Sequence, residues 1–140
     1  MVKKYFTVKS AQKQLPKIRK SLLKLQNLKN AIDAIISVKI DPKEFQFDDF
    51  IEMNTKLNKD YHLLSYKFYK ELETLEKTGC LLKDLGQGLI DFYCKHGSRD
   101  IFLCWKLGED RIKAWHEIDV GFLGRKPIIH LEHYQKWKQK

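Results

Sequence analysis

All seven glycines of this chain lie beyond residue 78: Gly79, Gly86, Gly88, Gly97, Gly108, Gly121 and Gly124. A glycine inside a helix costs roughly 0.5–1 kcal/mol relative to alanine, whereas turns use its conformational freedom. The glycine-free stretch therefore suits long elements, and the punctuated remainder suits short ones.

The first part carries helical periodicity. Thr7 reads as the N-cap of a short turn over Val8 to Gln14. Pro16 fits the first turn of a longer helix, or a kink between the two. Apolar residues follow at Leu15, Ile18, Leu22, Leu25, Leu28, Ile32 and Ile35 or Ile36, in steps of three and four that mark one face. Pro42 lies in a connection, and Asp48 or Asp49 is placed to cap a second helix. That helix has its own stripe: Phe50, Met53, Leu57, Tyr61, Leu64, Phe68, Leu72 and Leu75. Gly79 stands where a C-terminal cap belongs. Two such helices make an antiparallel hairpin over residues 1–78.

Four apolar runs follow, at Cys80–Leu85, Leu89–Cys94, Ile101–Lys106 and Arg111–Ile118, with separators of hairpin length. They predict an antiparallel meander over 79–128. The third run, Ile-Phe-Leu-Cys-Trp-Lys, is apolar on both faces, so it predicts an inner strand covered on both sides. The hairpin covers one face, and the other needs a second layer, such as another subunit. The expected fold is thus α+β: one domain over 1–140, a long helical hairpin packed on a four-stranded antiparallel sheet. A tail over 129–140 carries His130, His133, Tyr134 and Trp137.

With 43% hydrophobic and 32% charged residues, the chain has a globular rather than a disordered composition. No apolar run is long enough to span a bilayer, and the first residues lack a signal-peptide core, which predicts a cytosolic protein. Cys80, Cys94 and Cys104 are odd in number and form no CxxC pair. This argues against a disulfide framework or a four-cysteine zinc site, and favours small buried hydrophobes. The formal net charge is +9, and residues 1–40 hold ten Lys or Arg against one acid, Asp33. The other hundred residues hold seventeen of each sign, so the whole excess lies at the start.

Several ordered segments carry a resemblance. They are Tyr5-Phe6-Thr7-Val8 through Gln14-Leu15-Pro16-Lys17-Ile18-Arg19, Leu82-Lys83-Asp84-Leu85 after Gly79, Gly88-Leu89-Ile90-Asp91-Phe92, Leu103 to Glu109, Trp115-His116-Glu117, and Gly121 to Ile128. Together they resemble domain-of-unknown-function family 2203, with its "VKDL", "GLVDF", "LCWrLGE", "WHE" and "GFaGRxPI" stretches. The resemblance implies an α+β domain and brings no established activity. The chain departs from it in two places. Lys9 and Ser10 stand where the family has acids, which leaves the helix-start capping box incomplete, and Tyr93 stands where the family has proline.

Function must then come from residues. On a strand, Ile112, Ala114, His116 and Ile118 share one face. A histidine in that apolar row is either a buried, hydrogen-bonded residue or a metal ligand or general base. Asp91, in an equally apolar strand, is its natural partner, because a buried carboxylate needs a cation or several donors. Register decides whether Asp91 and Cys104 face His116. Asp119, just past the strand, offers a third oxygen ligand, and Glu117 joins only through a bulge. Histidine with carboxylates suits zinc, iron or manganese.

Two further constellations stand out. Arg125, in a loop with Gly121 and Gly124, either grips an anion or pairs with a local acid such as Asp119. Lys9, Lys13, Lys17, Lys20 and Lys24 line the first helix opposite its apolar stripe, as a solvated face or as a track for nucleic-acid phosphates. Nothing around the cysteines matches a catalytic thiol signature. The apolar stripes exceed what two helices and one sheet face require, which predicts a homodimer with a four-helix arrangement. The expected role is an oligomeric binding protein with a divalent metal on the sheet. The alternatives are a nucleic-acid-associated protein and a metal-dependent enzyme.

Overall fold

The computed structural model describes residues 3–129 and 131; His130, His133, Tyr134 and Trp137 of the tail lie outside them. Helix α1 spans Val8–Ser37 without interruption, with Pro16 inside it. The break expected at Pro16 does not occur. Pro16 is exposed, while Ala11, Leu15, Ile18, Leu22 and Leu25 are buried on both sides of it. Packing of these residues outweighs one lost backbone hydrogen bond. The capping box is also complete. Thr7 Oγ1 accepts from the Ser10 amide at 3.1 Å, and Ser10 Oγ accepts from the Thr7 amide at 2.9 Å. Serine thus does what an acid does at that position.

A 3-10 turn, Pro42–Glu44, leads into helix α2 over Phe47–Glu76. Its N-cap is Gln46, and Asp48 and Asp49 sit in the first turn instead of capping. There their charge favours the positive end of the helix dipole. Gly79 adopts the expected left-handed conformation, φ 93°, where α2 gives way to the sheet.

The strands are β1 (Leu81–Asp84), β2 (Leu89–His96), β3 (Arg99–Lys106), β4 (Ala114–Glu117) and β5 (Lys126–Pro127), paired in that order and all antiparallel. The sheet therefore has five strands, not four. The fifth is only two residues long and contains a proline, so it leaves no alternating pattern to read. The run expected over Arg111–Ile118 pairs only from Ala114 to Glu117. Ile112 departs from the alternation: it joins the helix-side core, its amide held by Gln12 Oε1 at 2.9 Å.

Period-two alternation gives the sheet two different faces. Ile90, Phe92, Cys94, Ile101, Leu103 and Trp105 pack with the buried side of α1 and with Leu75 of α2. Each fully buried Leu or Ile here contributes about 1.5–3 kcal/mol. The second face presents Leu89, Asp91, Phe102, Cys104, Ala114 and His116, all buried. Part of its cover is the chain's own loop, including Val120 and Phe122.

The hairpin outruns the sheet. Thirty residues of helix extend about 45 Å, while eight residues of strand extend about 26 Å. No residue of α1 after Leu25 is buried, and α2 buries only Leu75. Among the described residues no helix is long and apolar enough to cross a membrane.

Candidate metal centre

The long β2–β3 pairing places Asp91 directly opposite Cys104, and the β3–β4 pairing places Cys104 opposite Ala114. His116 lies two residues beyond Ala114, on the same face, opposite Phe102. The candidate ligand atoms of Asp91, Cys104 and His116 all lie within 4.8 Å of one another. His116 Nε2 is 3.1 Å from Asp91 Oδ1, and the two side chains are only 4% and 5% exposed. His116 Nδ1 is 2.8 Å from the carbonyl oxygen of Glu117.

A carbonyl only accepts, so Nδ1 carries the hydrogen and donates it. Nε2 is thereby aimed at the cluster, toward Asp91 Oδ1. The arrangement matches a metal-binding histidine whose outer nitrogen is anchored to the backbone. Burial first, and the charge of Asp91 second, push the Cys104 thiol up to about 12. At neutral pH the sulfur therefore keeps its proton and is a poor nucleophile. A cation bound beside it would favour the thiolate instead.

Of the residues singled out in the sequence, His116 and Asp91 come together. Asp119 is exposed and lines the same cavity, outside the three-residue cluster. Glu117 points to the other face, since no bulge intervenes in β4; it meets Arg99 at 3.2 Å and Lys126 at 4.0 Å. The third member is Cys104. Its pairing with Asp91, on the face away from the helices, separates it from Cys80 and Cys94, which join the helix-side core. The cavity beside the cluster holds about 210 Å³.

Arg125 is engaged within the chain, with a partner other than Asp119. Its Nη2 donates to Glu109 Oε1 at 2.7 Å and to the Cys104 carbonyl at 3.4 Å, and its guanidinium stacks 4.7 Å from the Phe122 ring. Glu109 also accepts from the Lys106 amide at 2.7 Å. This knot ties the loop after β4 to the β3–β4 connection, next to the backbone of Cys104. On α1, Lys9, Lys13, Lys17, Lys20 and Lys24 are all exposed. Among the described residues only Lys24 of these five has a carboxylate within reach, Glu71 at 4.0 Å.

Fold and site together define an α+β protein in which a helical hairpin backs an antiparallel meander with a buried Asp-Cys-His cluster on the opposite face. The chain belongs to the family of uncharacterized conserved proteins DUF2203, whose model matches residues 4–128. No curated protein matches it, and neither does any solved structure.

Proposed function

We propose that this is a metal-binding protein of the cytoplasm, which holds one divalent ion, zinc in preference to iron or manganese, at Asp91, Cys104 and His116. The carrying observation is the Nδ1 hydrogen bond to the Glu117 carbonyl, which directs Nε2 toward a carboxylate and a sulfur within 4.8 Å. Thiolate, imidazole and carboxylate together suit zinc best, and three protein ligands leave a fourth position open. The carboxylate and thiolate charges balance the ion, which offsets the cost of burying them. Three free cysteines fit a reducing compartment. Tag-free protein is expected to contain near-stoichiometric zinc. Its cobalt-substituted form should show a sulfur-to-metal absorption band that disappears in Cys104→Ser. Wild-type protein that contains no metal and refuses added zinc, iron and manganese would sink the reading.

The binding protein acts as a homodimer built on the projecting half of the hairpin. Large apolar side chains gather at the hairpin tip: Phe47 is 73% exposed, Ile36 62%, Val38 49% and Ile51 46%. Residues 36–52 carry five acids against two lysines, whereas residues 8–24 carry six basic residues and no acid. Two hairpins packed antiparallel bring each acidic, apolar tip against the partner's lysine face, and a parallel arrangement would oppose like charges. Light scattering should give twice the chain mass, and Phe47→Glu combined with Ile51→Glu should give the single mass. A monomeric wild type contradicts this assembly.

A further inference from the structure

Asp91, Cys104 and His116 all line a cavity of about 210 Å³, into which a fourth ligand position can open. At about 30 Å³ per water, this is room for roughly seven waters or one small organic ligand. Leu89, Phe102, Val120 and Phe122 make much of the wall apolar. Besides Asp91, the charged residues that line it are Lys83 and Asp119. Lys83 is the extra residue of a bulge in β1, where the pairing to β2 shifts between Leu82 and Asp84. Bulges re-aim side chains, and they are over-represented beside active sites. The Lys83 ammonium lies 4.7 Å over the ring of Phe102, the residue paired with His116 across β3 and β4. Among the described residues it has no carboxylate within 4.0 Å, and Asp119 is no exception.

Charge then selects the ligand. A divalent ion with the Asp91 carboxylate and the Cys104 thiolate is neutral. Lys83 adds one positive charge at the Phe102 wall and Asp119, which is exposed, one negative, so an anion finds its cation on the Lys83 side of the cavity. We infer that the site takes a small monocarboxylate as exchangeable ligand, one oxygen on the metal and the other on the Lys83 ammonium. This rests on the metal reading above. A carboxylate supplies two oxygens in one plane and a single charge. The apolar wall suits a short aliphatic or aromatic substituent and disfavours a polyanion.

The test uses full-length cobalt-substituted protein titrated with acetate, with inorganic phosphate in parallel, while the visible metal bands are followed. Acetate is expected to change the bands saturably in the wild type. Lys83→Met should weaken that response about tenfold or more while cobalt stoichiometry is unchanged, as for loss of a hydrogen bond to a charged group. Asp119→Asn, which removes a negative charge from the cavity lining, should not weaken the acetate response. Cobalt-loaded protein blind to acetate overturns the inference and leaves the metal site standing. The same holds if acetate affinity is equal in Lys83→Met, or if phosphate binds more tightly than acetate. Altered bands in Asp119→Asn before any acetate is added make Asp119 the fourth ligand and also overturn it. A protein that takes up no cobalt overturns both readings.

Discussion

His116→Ala is expected to release the bound metal and to destabilise the metal-free protein by about 3–5 kcal/mol. The imidazole is 4% exposed and faces a carboxylate that is 5% exposed, 3.1 Å away. Without it, Asp91 keeps a buried charge with no cation, or must take up a proton. Removing one partner of a buried pair costs far more than the pair itself contributes, because the other is left uncompensated. For a chain of this size the loss corresponds to a fall in melting temperature of order 10 °C. Denaturant unfolding of metal-stripped wild type and mutant measures the stability term, and elemental analysis measures the metal. Asp91→Ala should cost a comparable amount, and the double variant should cost less than the sum, since the two residues act on one interaction. A mutant within about 1 kcal/mol of wild type that still holds metal would remove both the pair and the site.

Trp105→Ala should destabilise the fold by about 3–5 kcal/mol through the opposite face of the same strand. The indole is fully buried in the helix-side core, and its Nε1–H donates to the Glu109 carbonyl at 3.0 Å. The Arg19 guanidinium lies 5.7 Å over the ring, joining α1 to β3. Truncation leaves a cavity and an unpaired carbonyl, a large share of the 5–15 kcal/mol typical of a domain. Trp105→Phe, which keeps most of the volume, should recover much of the loss. Because Trp105 and Cys104 point to opposite faces, the folded fraction of Trp105→Ala should bind metal at the wild-type stoichiometry. Urea unfolding and metal content measured on the same samples separate the two faces. Equal stability in Trp105→Ala and wild type would contradict the packing described.

The stripes from Leu15 to Ile35 and from Phe50 to Leu75 announced two helices because a helix buries one face at a time. Gly79 marked their end through its left-handed backbone. Local rules misjudged Pro16 and Ser10, since tertiary packing carried the helix through the first and a hydroxyl replaced a carboxylate at the second. The strand β5 was hidden because two residues have no periodicity. Ile112 left its expected row because pairing in β4 begins only at Ala114.

What the residue order alone determined was the α+β class and the meander, because each follows from periodicity; for His116 it offered Asp91 as the natural partner, from the cost of burying a charge, and left their register open. What only the tertiary structure decided was which third side chain joins them. Cys104, and neither Glu117 nor Asp119, completes the cluster because strand register sets who faces whom. A one-residue slip would have turned every side chain to the other face.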